Sequence, residues 1–481
     1  MQLAFIPIYI KYLGMEAYGL IGIFAMMQAW LTLLDMGMTP TLNREMARFT
    51  AGAHTSESIR DLVRSLEMLS FVVAFLIVVG IWSASGWFSL HWLRVDKLPL
   101  QTVSEAIAIM GLVAGMRIIE GVYRGALLGL QTQVWVNAAS ALLATIRGVG
   151  AVGILYWVSP TIQAFFIWQA CMSLLTLIIF GFRVHHALPT PKRRARFSKQ
   201  ALADIWHFAR GMIITTLLSL MLMQVDRLLL SRLLSLENFG AYTLAATVAN
   251  ALGLLIVPIS QSYYPKFTEL LTRDDRKGLV AAYHQGAQLM TVMLVPATLI
   301  LVFHSEFLLA LWTGNSALAN SAATLVSLLA IGTAFNGLMH IPYMLQLAYG
   351  WSSLAAKVNL VAVAILIPVL FWAVPRYGAI GAAWVWVSVN AGYIFIAVHF
   401  MYRRLIPKEK NAWYWRDITL PALAAGSVSF LGEWLYPMNS SQVTQLMWLM
   451  TTGVSAFVLA LLAAPDLRKS VLYALKRKNF A

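Results

Sequence analysis

The run LEMLSFVVAFLIVVGIWSAS, residues 66–85, carries one charged residue, Glu67, and follows directly on Arg60 and Arg64. About 20 apolar residues at 1.5 Å per residue reach across the ~30 Å hydrocarbon layer of a bilayer. A strand of a membrane barrel would be half that length and would alternate in polarity. Runs of the same kind recur at residues 134–158, 162–182 and 443–464. Taken outward along the chain, the pattern gives about fourteen spans, near 1–12, 17–43, 65–85, 103–129, 134–158, 161–182, 205–234, 238–262, 283–311, 321–348, 354–373, 379–401, 418–436 and 443–464. The expectation is an all-α polytopic membrane protein.

Composition supports this reading. The chain of 481 residues is 60% hydrophobic and 11% charged, with a mean hydropathy of +0.72, too little charge to cover a soluble surface. Its net charge of +15 is spread over many helix ends rather than gathered in one domain, which disfavours a nucleic-acid partner. The single cysteine, Cys171, lies within an apolar run, so neither a disulfide framework nor a thiolate metal site is expected, and no cofactor is implied. The first run is about half a spanning length and shows no cleavage site, so it reads as a truncated first helix.

The positive charge sets the orientation. With the loop after the second run placed in the cytoplasm, Arg44, Arg48, Arg60 and Arg64 lie there, and so do the clusters at 183–199, 266–277, 403–416 and 468–478. Of 35 lysines and arginines, the opposite side receives only Lys11, Arg94, Lys97, Arg232 and Arg376. Short loops rich in Lys and Arg stay inside, so both termini are expected in the cytoplasm.

The longest polar connection, 185–203, contains Pro189, Pro191 and the run KRRAR at 192–196 and reads as a basic linker. It divides an N-terminal six-helix lobe, 1–184, from a C-terminal one, 204–402, leaving 403–481 as an extra helix pair with a basic tail. Weak internal similarity supports duplication, since Glu16-Ala17-Tyr18-Gly19 resembles Glu237-Asn238-Phe239-Gly240. An even number of helices per half keeps the repeats parallel, an arrangement that puts substrate sites at the repeat interface.

Soluble-enzyme motifs are missing, including any phosphate-binding loop, His-Glu-x-x-His or nucleophile elbow. Asp274-Asp275 sits among basic residues as a solvated turn, and His185-His186 diverge on a helix end. What stands out is ionisable residues inside apolar runs, each costing ~2.5–3.5 kcal/mol at a helix centre. Arg117, Glu120 and Arg124 recur at spacings of three and four and share one helix face. Arg117 lies ~21 Å in from Val103, and Arg147 lies ~20 Å in from Val134 with no acidic neighbour within a turn. Arg210 and the pair Asp226-Arg227 fall in the seventh run. Several unpaired guanidinium forks would suit a pyrophosphate, whereas pairing of Arg117 with Glu120 and of Arg227 with Asp226 would make them structural. Asp35, with Gly37 and Pro40 beyond it, marks a place where the second run should kink. Trp384 and Trp386 lie deep enough to face a sugar, though ordinary packing also accounts for them.

These residues carry a resemblance. The opening PIYIKYLGMEAYGL at 7–20, with Leu34-Asp35-Met36-Gly37-Met38 and Arg44-Glu45, is similar to the N-terminal signature of the polysaccharide-biosynthesis, or O-antigen flippase, family. VDRLLLS at 225–231 with Phe239-Gly240-Ala241-Tyr242, and Arg124 with Gly129-Leu130-Gln131, Asn137 and Arg147, resemble it too. The resemblance covers residues 1–405 and implies two six-helix lobes around a cationic cavity. It also implies movement of an undecaprenyl-pyrophosphate-linked oligosaccharide from the cytoplasmic to the periplasmic leaflet of a bacterial inner membrane, by ion-coupled alternating access. Polymerase machinery is a further implied partner. On this reading Arg147, Arg117, Arg210, Arg227 and Arg44 contact substrate, and Asp226, Asp35 and Glu120 serve ion coupling. The alternatives are a cation-coupled multidrug antiporter of the same superfamily, which would want acidic cavity residues, and a membrane glycosyltransferase or polymerase, which would want acidic residues in a large external loop.

Overall fold

A computed structural model describes the backbone of residues 2–35, 37–189, 193 and 195–470, with side chains throughout these except 2–3, 199–215 and 352. Helices dominate, and ten helical stretches among the described residues are long and apolar enough to cross a membrane. The other four runs expected from the sequence fall on a 12-residue first helix, on the helix 199–233, on a 15-residue helix near 420, and on the second arm of the 52-residue stretch Ser353–Arg404. The chain gathers into two compact units, Met1–Gly240 and Ala241–Ala481.

In the first unit, α1 (Gln2–Leu13) turns at Gly14 into α2 (Met15–Leu31). The kink expected at Asp35 is a full break. A 3₁₀ turn covers Thr32–Asp35, Gly37 takes a left-handed φ of 73°, and α3 (Met38–Thr50) follows. The Asp35 carboxylate accepts from the Thr39 backbone N–H at 3.2 Å and from Thr39 Oγ1 at 2.8 Å, supplying a partner to the start of α3. Next come α4 (Ser56–Trp87), α5 (Leu100–Gly129), α6 (Gln133–Gly153), α7 (Ile162–Ala187), α8 (Lys199–Leu233) and the start of α9 (Leu236–Asn250). Thr55 and Thr161 cap α4 and α7 with their side chains.

Small residues let α3 lie against α5. A Cβ on Gly125 would stand 2.4 Å from the Thr39 carbonyl oxygen, and one on Gly129 would stand 2.3 Å from that of Asn43. Any side chain there would push the backbones apart. The contact buries Met38, Leu42 and Met46 with Val122, Ala126, Phe180 and Val184.

The basic connection is held along α4 rather than standing free. Arg60 donates to the carbonyls of Leu188 at 3.0 Å and Pro189 at 2.7 Å, Asp61 accepts from the Arg196 backbone at 2.7 Å and pairs with Arg193, and Ser65 Oγ accepts from Ser198. Pro191, Lys192 and Arg194 lie outside the described residues. At the opposite end, Glu16 accepts backbone N–H groups of Asp96, Lys97 and Leu98 at 2.6–3.1 Å. Lys97 in turn pairs with Glu237. Both glutamates of the sequence repeat thus grip one short loop.

The second unit continues with α10 (Gly253–Thr272), α11 (Arg276–Phe303), α12 (Ser305–Thr313), α13 (Ser316–Leu338) and α14 (His340–Ala348). Asp275 caps α11 by accepting from the Gly278 N–H at 2.8 Å, a structural role for the acidic pair read as a turn. The stretch α15 (Ser352–Gly392) doubles back at Gly378, whose φ of 57° breaks the helix into two arms. After α16 (Val398–Arg404) and α17 (Lys410–Ala412), a π turn leads into α18 (Leu420–Trp434), followed by α19 (Gln442–Ala463). These last helices pack on α11 through Val292, Ala425, Ala456 and Ala460. Trp386 fills the space over Gly332, so its indole is packing, while Trp384 is 56% exposed.

Candidate functional site

The helix face that carries Arg117, Glu120 and Arg124 sits one turn from the glycine seam that seats α3 on α5. Arg117 Nη1 donates to Gln28 Oε1 on α2, and its guanidinium carbon lies 5.6 Å from the centre of the Phe24 ring. Its Nε is buried without a hydrogen-bond partner among the described residues. Among the described residues no carboxylate approaches within ion-pair distance, so the alternative of a structural pair with Glu120 is not what holds it.

Arg147, on α6, has the same kind of surroundings. Its Nη2 donates to Thr176 Oγ1 on α7 at 3.3 Å, and its Nε is also buried without a partner. Trp168 fixes the local backbone by donating Nε1–H to the Arg147 carbonyl at 3.0 Å. Arg124 donates to Ser140 Oγ at 3.0 Å. Glu120 feels the charges of Arg117, Arg147 and Arg124, and Arg117 feels that of Arg147. The structure therefore brings three guanidiniums and one carboxylate into a single electrostatic neighbourhood on α5 and α6. Neutral oxygens take one N–H from each guanidinium without cancelling its charge, which leaves donors and field for an anion.

The other sequence candidates divide. Arg44 is half exposed and pairs with Glu45 at 2.6 Å, where Arg48 and His54 also converge at 3.1 and 2.7 Å. Asp35 serves the start of α3. Asp226 is engaged in a contact of its own, and Arg227 forms no ion pair with it among the described residues. The side chain of Arg210 lies outside the described residues. Gln28, Phe24 and Thr176 are the partners that the sequence reading missed. A Gln or Thr in an apolar run signals nothing until a facing arginine is known.

The reading also missed a second polar cluster, in the other unit. His284 and Gln288 lie one turn apart on α11 and meet the segment around Asp417. His284 Nδ1 contacts Asp417 Oδ2, and Nε2 lies 2.9 Å from Glu409. Both ring nitrogens face carboxylates, which only a doubly protonated imidazole satisfies as a donor. Gln288 Nε2 donates to Asp417 at 2.8 Å and to Asp466 at 3.2 Å, and its Oε1 accepts the backbone N–H groups of Asp466 and Leu467. Arg416 closes the set on Asp466 at 3.0 Å. The i, i+4 spacing of His284 and Gln288 was the available signal.

Comparison with known proteins gives the family and the fold. A family model described as "Polysaccharide biosynthesis protein" matches residues 1–271, and one described as MatE matches 212–372. A putative O-antigen transporter of Shigella flexneri is 21% identical over 404 residues, 83% of this chain and 93% of that protein. Among solved structures, the lipid II flippase MurJ in an inward closed conformation superimposes with a TM-score of 0.71 over 95% of both chains at 13% identity. An inward-facing MATE-family multidrug resistance transporter of the MOP superfamily gives 0.67 over 84% of this chain and 96% of its own, also at 13% identity. The two structures share the fold, and the first family match covers more than half the sequence, so this chain belongs to the polysaccharide biosynthesis protein family.

Proposed function

We propose that the protein is a flippase that carries a polyprenyl-pyrophosphate-linked oligosaccharide from the cytoplasmic to the periplasmic leaflet of a bacterial inner membrane by alternating access. The observation that carries this reading is the excess of guanidinium over carboxylate on α5 and α6, with Arg117 and Arg147 tied only to neutral partners. A buried cation costs several kcal/mol unless something compensates it, and a pyrophosphate that enters and leaves would do so transiently. The Shigella transporter and the flippase fold support the same substrate class. On this reading each six-helix lobe moves as a body, with both termini in the cytoplasm, and ion coupling draws on the acidic groups near the arginines.

The MatE match over 212–372 favours a second reading, a cation antiporter. The neighbourhood of Arg117, Arg124 and Arg147 would repel a lipophilic cation, and this weighs against it. In a strain lacking the gene, wild-type protein should restore display of the surface glycan and clear accumulated lipid-linked precursor. Arg147→Ala at normal abundance should do neither, and Arg147→Lys should restore a fraction because the bidentate fork is lost. Full display with Arg147→Ala, or export of fluorescent cations by the wild type with no change in glycan, overturns the proposal.

A further inference from the structure

The two arms of α15, residues 352–377 and 379–392, meet beside the Gly378 turn, where a Cβ on Gly381 would stand 2.7 Å from the Ala373 carbonyl oxygen, and stay apart along much of their remaining length. Packed helix pairs stand 8–10 Å apart with their side chains interleaved, whereas here a groove of about 920 Å³ remains between the arms and the turn that follows them. Its walls are formed by residues such as Val361, Ile365 and Trp372 on one side and Trp384 and Val389 on the other. Several of these face outward, with Ile365 and Trp384 each 56% exposed. Cβ atoms would meet nothing within 4 Å at Gly392, so the groove is open there too.

Two features single out an occupant. The first is length. Lining residues run from Leu354 to Tyr377 on the first arm, a helical distance of ~35 Å. The acyl chains of one leaflet cover only about half of the ~30 Å hydrocarbon layer, so a phospholipid fills about half of this groove. The second is charge. Lys357 is the one charged residue of the lining, it is exposed, and it forms no ion pair among the described residues. It stands at the end that the loop charges assign to the cytoplasm, opposite the Gly378 turn.

We infer that this groove binds the tail of a polyprenyl-phosphate lipid, with the chain along the arms of α15 and the phosphate near Lys357. The inference rests on the flippase reading for the direction of transport and for the class of lipid. It adds a tail site in the second unit, separate from the arginines of the first.

The test uses full-length protein in liposomes of phosphatidylethanolamine and phosphatidylglycerol. One probe is a polyprenyl diphosphate with a benzophenone at the far end of its tail, and the other is a phosphatidylglycerol carrying the same group on an acyl chain. Adducts are mapped by mass spectrometry. The polyprenyl probe should label residues between 358 and 396, and excess unlabelled polyprenyl phosphate should remove the label while excess phosphatidylglycerol should not. Lys357→Gln should weaken that competition by up to about fivefold, the size of one exposed ion pair. Ala362→Phe with Val389→Phe should fill the groove and abolish labelling there. Should the filled variant fail to fold, Lys357→Gln, altered only at an exposed position, keeps the competition measurable. Equal labelling by the phospholipid probe, or displacement by phosphatidylglycerol, overturns the inference and leaves a groove solvated by ordinary bilayer lipid. Labelling is read without transport, so a groove that binds polyprenyl phosphate in a protein that moves no glycan would refute the flippase reading alone.

Discussion

The arginines of α5 and α6 and the acidic cluster around His284 both place charge among apolar helices, yet they solve the cost in opposite ways. In the second unit, His284 lies between Asp417 and Glu409, Gln288 ties Asp417 to Asp466, and Arg416 completes the set. Each charge there meets an opposite charge or a hydrogen bond. In the first unit Arg117 and Arg147 meet Gln28 and Thr176, and the field of three guanidiniums faces one carboxylate. A closed cluster joins helices, here α11 to the segments before α18 and after α19. An open one, on the flippase proposal, is compensated when the pyrophosphate arrives. Breaking each should therefore disturb a different property.

The largest stability effect is expected at Asp417, which is fully buried. Asp417→Ala leaves His284 with Glu409 alone and takes one acceptor from Gln288, and should cost about 3–5 kcal/mol, the usual result of removing one partner from a buried pair. Thermal unfolding in detergent measures it, and glycan display should fall only as far as protein abundance falls. A variant of normal stability that fails to transport would make this cluster part of the transport machinery and erase the contrast.

Arg147→Ala should behave in reverse. Its removal leaves Glu120 with the charges of Arg117 and Arg124, so stability should stay within about 1 kcal/mol of wild type or rise, while display is lost. Arg117→Ala should follow the same pattern less severely, because the contacts with Gln28 and Phe24 give the side chain a packing role as well. Unfolding of both variants with transport spared at equal abundance would show that these arginines are structural.

Glu120 sharpens the comparison further, since among the described residues it is the carboxylate that feels all three guanidiniums. Glu120→Gln keeps the shape, removes the negative charge and should strengthen binding of a pyrophosphate lipid by up to about tenfold while slowing its release. Equilibrium binding and turnover in proteoliposomes separate the two. Weaker binding would mean that Glu120 orients the arginines rather than restraining them.

Much of this was legible in the chain itself. Residues 66–85 declare a spanning helix because hydrocarbon thickness fixes a length that few other structures need. The spacing of Arg117, Glu120 and Arg124 put them on one face, and Gly37 with Pro40 marked the break after α2. Arg147 was visible as a cation with no carboxylate nearby in sequence. Its partner on α7 was not visible, because a contact between residues 29 positions apart depends on how the helices pack. The same holds for Glu16, which the sequence shows only as part of the internal repeat and which holds three backbone N–H groups 80 or more positions away. The cluster at Asp417 escaped because its six members are spread singly or in pairs over four separate segments, and how those segments meet depends on packing.

The smallest effect is expected where charge meets water, at Glu45 of α3. Burial pushes this carboxyl up, but the hydrogen bonds from His54 and Arg44 and the charges of Arg48 and Arg44 outweigh it, so the group is held below its ordinary range. A carboxyl held low in the fold contributes stability at pH values above its unfolded pKa and loses it as pH falls through the folded one. Arg44 and Arg48 are 47% and 56% exposed, so solvent screening limits the gain to at most about 1 kcal/mol. Wild type and Glu45→Gln should then differ slightly at pH 7, the gap should narrow in high salt, and the two should converge as pH falls through the lowered folded pKa of Glu45. Arg44 would lose its anchor in this variant, so a display defect larger than the stability change would make Arg44 a substrate contact held in place by Glu45. A gap that persists unchanged at acid pH would show that Glu45 acts through packing rather than charge, and would set it apart from both buried clusters.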